Sequence, residues 1–150
     1  MKKINLLFSL MLGLSAIAFA QDSNPTKWTI SSEKVAEGTY KVMLQVELEG
    51  VWAIYSQHLE SDEGPIATSI NFEENDAVQL QGIVEELGEK LALYDEMFEM
   101  NIAKYKHEVV FVQLVKAAEG TRLKGSYEFM VCNDERCLPP REEQFELVLE

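Results

Sequence analysis

The sequence predicts an all-β domain of the β-sandwich type. Three observations carry that prediction: apolar and polar residues alternate through several short runs, turn-forming clusters separate those runs, and the runs recur at roughly the spacing of sandwich strands. Thr39 to Leu48 is the clearest of them, with Tyr40, Val42, Leu44, Val46 and Leu48 on one face and Lys41, Met43, Gln45 and Glu47 on the other. Gly50 breaks this run, and Val51 to Leu59 resumes as a second expected strand through Trp52 and Ile54. The cluster Ser61-Asp62-Glu63-Gly64-Pro65 is a turn, after which Ile66, Thr68, Ile70 and Phe72 alternate until Glu73-Glu74-Asn75-Asp76.

Further along, Glu108 to Val115 is dense in β-branched and aromatic residues. Glu119-Gly120 then turns the chain into an expected strand from Thr121 to Val131, with Leu123, Gly125, Tyr127, Phe129 and Val131 on one face. After Pro139-Pro140, which cannot join a regular ladder, Phe145, Leu147 and Leu149 alternate with acids as a last strand. One stretch resists this pattern. Ile83, Leu87, Leu91, Tyr94 and Phe98 recur at helical spacing among good helix formers, and periodicity alone makes residues 83–99 a helix.

Residues 1–20 read as a removable export signal. Lys2 and Lys3 precede an apolar run from Ile4 to Phe19 that ends in the small-x-small pattern Ala18-Phe19-Ala20. A membrane anchor is the competing reading, but the run is marginal in length, rich in small residues and followed by polar Gln21-Asp22-Ser23-Asn24. No cysteine sits at the cleavage point, which argues against a lipid anchor, and no later segment is long and apolar enough to span a bilayer. Residues 21–150 are then one domain, expected to be soluble and monomeric. The net charge of −13 becomes −15 once a leader with two lysines and no acid is removed. Such a surface repels phosphate backbones and anionic membranes, so nucleic-acid binding and membrane insertion of the mature chain are not expected.

The chain has two cysteines, Cys132 and Cys137, with four residues between them on a turn. They are near enough to bridge if the turn folds back, and in an exported protein a disulfide persists. The spacing allows the bond without establishing it. As a staple it is weakly rewarded, because closing so small a loop contributes about 2 kcal/mol, against about 5 for a loop of about 100 residues. A small, reachable ring at a turn suits thiol–disulfide exchange. Staple and redox centre both stay open on the spacing. Metal binding has little support, since His58 and His107 are the only further soft ligands and neither has ligand-like spacing to the cysteines. No metal and no other cofactor is expected. A hydrolytic nucleophile is also disfavoured, because a second cysteine so close is more naturally a resolving partner.

Cys132-Asn133-Asp134 followed by Cys137-Leu138-Pro139-Pro140 resembles the active-site segment of the N-terminal periplasmic domain of the thiol:disulfide interchange protein DsbD, and the resemblance spans residues 28–150. Two further segments are similar. Ile54-Tyr55-Ser56-Gln57 looks like the family's tyrosine-bearing strand beside the active site, and Tyr94-Asp95-Glu96-Met97-Phe98, with Tyr105 after it, looks like its acidic-aromatic cap loop. From the residues alone, Tyr55 and Phe98 read rather as ordinary core aromatics.

The resemblance implies an immunoglobulin-like sandwich, which replaces the helix over residues 83–99 with extended chain. It implies a periplasmic electron carrier of the protein-disulfide reductase type, with thioredoxin-like proteins or domains as donor and acceptor. Cys137 would bond the partner and Cys132 resolve the mixed disulfide. Phe98 and Tyr94 would shield the pair, with Tyr55, Asp95, Glu96 and Asp134 supporting it. Asp134, Glu135 and the cap acids would raise the thiol pKa values, and Arg136 would oppose them.

Two features depart from the family pattern: a four-residue spacer where some members have five, and Ala53 where a second active-site tyrosine is expected. The sequence ends at Glu150 without the membrane conduit or thioredoxin-like domain that usually follows, which reads as a stand-alone form. A non-catalytic exported immunoglobulin-like binding module with a structural disulfide is the alternative from another class. A small-molecule carrier finds no convergent polar cluster to support it.

Overall fold

The computed structural model describes residues 24–61 and 63–150, and the expected leader with its cleavage at Ala20 lies outside them. Nine strands and no helix make up the described chain: β1 Thr26–Ala36, β2 Thr39–Leu48, β3 Ala53–Tyr55, β4 Ser69–Phe72, β5 Val78–Asp95, β6 Met100–Ala117, β7 Arg122–Phe129, β8 Val131–Cys132 and β9 Arg141–Val148. All pairings are antiparallel. The first sheet is built around the long β6. One edge of β6 takes β2 and then β3, with β1 beyond β2 and β8 beyond β3, while β5 runs along the other edge. The second sheet has the order β4-β7-β9.

The alternation of β2 is realised as read, with Tyr40, Val42, Leu44, Val46 and Leu48 all buried. They meet Leu123, Tyr127 and Phe129 of β7 and Phe145 of β9 in one apolar cluster. Trp28 of β1 reaches across to the second sheet, its ring 4.3 Å from Tyr127 and 5.2 Å from Phe129. Each large side chain so buried is worth roughly 1.5–3 kcal/mol. β1 itself is absent from the sequence reading, although Trp28, Ile30 and Ser32 alternate in burial with their neighbours. Gly125 permits the tightest approach in the second sheet, since a Cβ there would run into the Asn71 carbonyl and the Phe145 ring.

The extended reading of residues 83–99 holds, and three expected boundaries are corrected. The helical spacing of residues 83–99 belongs to β5 and the tip that follows it, because pairing with β6 overrides the propensity of its Glu, Leu and Lys residues. Register shifts between Gln81 and Glu85 and between Gly88 and Lys90 break the two-residue alternation and produce the longer period. Ile83, the first of the helical set, is 74% exposed. The carbonyl of Gln81, at the first shift, accepts a bond from the buried Gln113 amide at 2.9 Å.

The expected strand Val51–Leu59 shrinks to Ala53–Tyr55, because beyond Ser56 the chain is held by a side chain in place of a ladder. Glu86 accepts the Gln57 amide at 2.6 Å and the Ser56 hydroxyl at 2.7 Å. Regular pairing of the Ile66 run begins only at Ser69. The run Thr121–Val131 is two strands in two sheets. Residues up to Phe129 pair with β4 and β9, whereas Val131 and Cys132 pair with β3. The chain therefore changes sheets at Met130, and this switch delivers Cys132 to the corner of the sandwich.

Candidate functional site

Cys132 lies opposite Ala53 in the β3–β8 ladder and is 4% exposed. The turn that follows is organised by Asn133, whose side-chain oxygen accepts the amides of Glu135 at 2.9 Å and Arg136 at 2.8 Å. Its own amide donates to the Arg136 carbonyl at 2.9 Å, and Leu138 N donates to Val131 O at 2.9 Å. These bonds fold Cys137 back beside Cys132 with the Cα atoms 4.0 Å apart, and the two sulfurs are joined in a disulfide. Leu138 then plugs into the main core, and Pro139-Pro140 leads into β9. The sulfurs differ in access, since Cys137 is only partly buried.

A second hairpin tip sits against this turn. β5 and β6 are joined through residues 96–99, and Glu99 takes a positive φ of 53° to close the tip. Asp95 anchors it twice. One carboxylate oxygen accepts the amides of Met97 at 3.0 Å and Phe98 at 3.4 Å, and the other pairs with Lys104 Nζ at 3.1 Å. That ion pair is almost withdrawn from water, with the Lys104 and Asp95 side chains 12% and 11% exposed.

The Phe98 ring stands edge-on to Tyr55, with centroids 6.0 Å apart at 89°. It packs, with Leu59, Met100 and Cys137, against a small cluster formed by Tyr55, Ile102, Met130 and Cys132, separate from the main core. Met97 Sδ lies 3.5 Å from Cys137 Sγ, a sulfur–sulfur contact on the more accessible half of the disulfide.

Of the expected residues, Tyr55, Tyr94, Asp95, Glu96, Cys132 and Asp134 line one cavity of about 280 Å³, and Phe98 and Cys137 each pack against the cluster that contains Tyr55 and Cys132. Tyr94 is exposed. The Tyr55 hydroxyl is buried without a hydrogen-bond partner among the described residues, and burial together with the charge of Asp95 pushes its pKa up. Arg136 turns towards Trp52, 5.9 Å from its ring. His58 lines a different cavity with Glu60 and Ile102, and His107 sits where β6 adopts a positive φ of 68°. Among the described residues, no group of three or more His, Cys, Asp or Glu side chains is gathered as a metal centre.

Three residues that matter here were not singled out from the sequence. Met97 sits in the recognised loop but carries no signal beyond its neighbours. Lys104 becomes visible only when β6 pairs with β5, which sets it opposite Leu91 and lets its ammonium reach Asp95 at 3.1 Å. Glu86 gathers four partners: the Ser56 and Tyr105 hydroxyls at 2.7 Å each, the Gln57 amide, and Lys90 Nζ at 3.1 Å. Burial alone would raise the Glu86 pKa. The bonds from Gln57, Ser56, Tyr105 and Lys90 outweigh it and hold the carboxyl below its ordinary value. Tyr105 is driven up, by its burial first and then by this carboxylate. Glu86 thus ties β5 to the segment that carries Tyr55.

Comparison with known proteins agrees with this architecture. A family model described as the N-terminal part of the thiol:disulfide interchange protein DsbD matches residues 24–149. The N-terminal periplasmic domain of ScsB from Proteus mirabilis is 21% identical with a TM-score of 0.60, over 86% of this chain and 48% of that one, so the chain spans about half of that structure's length. The DsbD N-terminal domain of Neisseria meningitidis in the reduced form is 17% identical with a TM-score of 0.54, over 79% and 83% of the two chains. The complex between the DsbD N-terminal and PilB N-terminal domains of the same organism gives 17% identity and a TM-score of 0.56, over 87% and 88%. At these identities the likeness to solved structures establishes the immunoglobulin-like fold alone. No curated protein matches the chain.

Proposed function

The chain belongs to the family of DsbD N-terminal domains, and on that premise we propose that it carries out periplasmic thiol–disulfide exchange, passing electrons from a thioredoxin-like donor to oxidised partner proteins through the Cys132–Cys137 pair. One observation carries the reading furthest. The disulfide lies at a corner of the sandwich with one sulfur buried and the other partly accessible, beneath a hairpin tip that belongs to different strands. A pure staple needs no such cover. Relatives solved in a reduced form and in a complex with a PilB domain support exchange and a protein partner.

In the reductive half of the cycle a donor thiolate attacks Cys137 Sγ. The Cys132–Cys137 bond breaks, its electron pair leaves on the Cys132 sulfur, and that sulfur takes a proton. The donor's second thiolate then attacks the mixed disulfide, leaving the donor oxidised and Cys137 reduced. In the oxidative half, Cys137 as thiolate attacks the partner's disulfide and Cys132 resolves the product. The burial of Cys132 favours Cys137 as the sulfur that meets partners. Attack on it requires the tip holding Met97 and Phe98 to move aside, so cap opening gates the reaction. Asp95 sets the resting position of the cap through the Met97 and Phe98 amides, and Tyr55 gives Phe98 its seat. Tyr94, Glu96 and Asp134 rim the opening. Export through a leader at residues 1–20 would place a monomer in the compartment where its partners act.

The test is to mix the oxidised, folded protein with a reduced thioredoxin-like donor and follow the appearance of alkylatable Cys132 and Cys137. Reduction without denaturant is the expected result. A disulfide that yields only after unfolding, and whose loss merely lowers the melting temperature, would instead make this an immunoglobulin-like binding module with a structural bridge.

A further inference from the structure

The cap touches the accessible sulfur through a side chain that is itself open to chemistry. Met97 Sδ is 3.5 Å from Cys137 Sγ, yet Met97 as a residue is 47% exposed. The other methionines of the described residues are better covered. Met43 and Met100 are partly buried and Met130 is buried. Gly64 passes so close to the Met100 sulfur that an added Cβ would collide with it. An oxidant arriving from solvent therefore meets Met97 most readily.

We propose that Met97 is a modification site, at which oxidation of the thioether to the sulfoxide by a peroxide swings the Met97 side chain off Cys137 and speeds exchange at the disulfide. The proposal rests on the exchange function above. In the step itself the peroxide O–O bond breaks and one oxygen is transferred to Met97 Sδ. The sulfur is oxidised by two electrons, and the other oxygen leaves as water. The disulfide is unchanged.

The product is a polar group where an apolar one lay against sulfur. Its oxygen demands a hydrogen-bond donor, and the Cys132–Cys137 bridge has none to give. Turning outward to water satisfies the oxygen but abandons the contact with Cys137 Sγ. The backbone of the tip can stay anchored during this change, because Asp95 holds it through the Met97 and Phe98 amides and not through the thioether. The neighbouring Lys104 is already engaged by Asp95.

The experiment treats the purified oxidised protein with dilute hydrogen peroxide, removes the peroxide with catalase, and maps oxygen addition by peptide mass spectrometry. The rate at which dithiothreitol reduces Cys132–Cys137 is then compared, treated against untreated, in the wild-type protein and in Met97→Leu. Oxygen should appear first on Met97. The treated wild type should be reduced several-fold faster than the untreated, and treatment should leave the Met97→Leu rate where it was.

Oxidation that spares Met97, a treated rate equal to or slower than the untreated one, or an equal response in Met97→Leu would overturn the proposal. A slower rate would mean that the sulfoxide finds a donor and locks the cap. The untreated arm separates the two claims. If native protein is reduced readily but is indifferent to peroxide, exchange stands and the role of Met97 falls. If neither form is reduced without denaturant, both fall.

Discussion

Phe98 stands edge-on to Tyr55 at 6.0 Å, and this contact joins the tip of the β5–β6 hairpin to the short strand that runs beside Cys132. The hairpin tip and this strand are thereby coupled through aromatic packing over a cluster distinct from the main core. Disturbing that cluster should alter access to the disulfide far more than it alters the sandwich.

Phe98→Ala removes the edge contact and leaves Tyr55 open on that side. The ring is only partly buried, so the expected loss of stability is about 1–2 kcal/mol, below the range for a fully buried aromatic. The rate of disulfide reduction by a small thiol should rise several-fold. Urea denaturation and timed alkylation check the two halves, and an unchanged reduction rate would show that Phe98 shields nothing.

Asp95 performs two tasks that substitution can separate. Asp95→Asn retains an oxygen for the Met97 and Phe98 amides but leaves Lys104 without its counter-charge in a nearly dry site, whereas Asp95→Ala removes both. Both variants should lose about 2–3 kcal/mol of stability through the stranded ammonium. Only Asp95→Ala should also accelerate disulfide reduction, because only there does the tip lose its backbone anchor. Equal acceleration in the two would assign the cap's position to the ion pair instead.

The Glu86 carboxyl titrates below its ordinary value of 4.5 in the folded protein. It therefore contributes stability that is fully present above that value and is lost as pH falls through the lower, folded pKa. Glu86→Gln should cost about 1–3 kcal/mol at neutral pH, by weakening the bonds from Gln57, Ser56 and Tyr105. The gap between wild type and variant should narrow on acidification. Urea midpoints measured from neutral to acid pH check this, and a gap that stays constant would mean that the charge of Glu86 is not what holds the Tyr55 segment.

Reducing Cys132–Cys137 should leave the sandwich folded, since so small a loop contributes about 2 kcal/mol, while the large core lies between other strands. A circular dichroism melt of the reduced protein should show a modest fall in transition temperature with the β signal intact. Collapse of the fold would instead make the disulfide a structural necessity.

The parts of this molecule that were legible in its sequence are those where one physical rule acts alone. β2 and β7 bury one face each, so alternation reveals them, and the Asn133 turn with its two cysteines is a local matter of four residues. β5 was illegible by periodicity, because register shifts around Gly82 and Gly88 rewrite the alternation and its partner strand overrules its helix-forming composition. β3 ends early because Glu86, some thirty residues away, supplies the bond that a ladder would have given. Lys104 and Met97 join the site only by juxtaposition, which exists once the hairpin closes over the cysteine turn. The resemblance supplied Tyr55, Asp95 and Phe98 as site residues, where composition left two of them as core aromatics.

The exchange role itself is tested most directly by trapping. Cys132→Ser and Cys137→Ser are each incubated with the disulfide form of a thioredoxin-like partner, and mixed disulfides are counted on a non-reducing gel. Cys132→Ser, which keeps the accessible Cys137, should capture the partner, and Cys137→Ser should not. Capture by neither variant would contradict exchange at this pair, and capture by Cys137→Ser alone would reverse the roles of the two sulfurs.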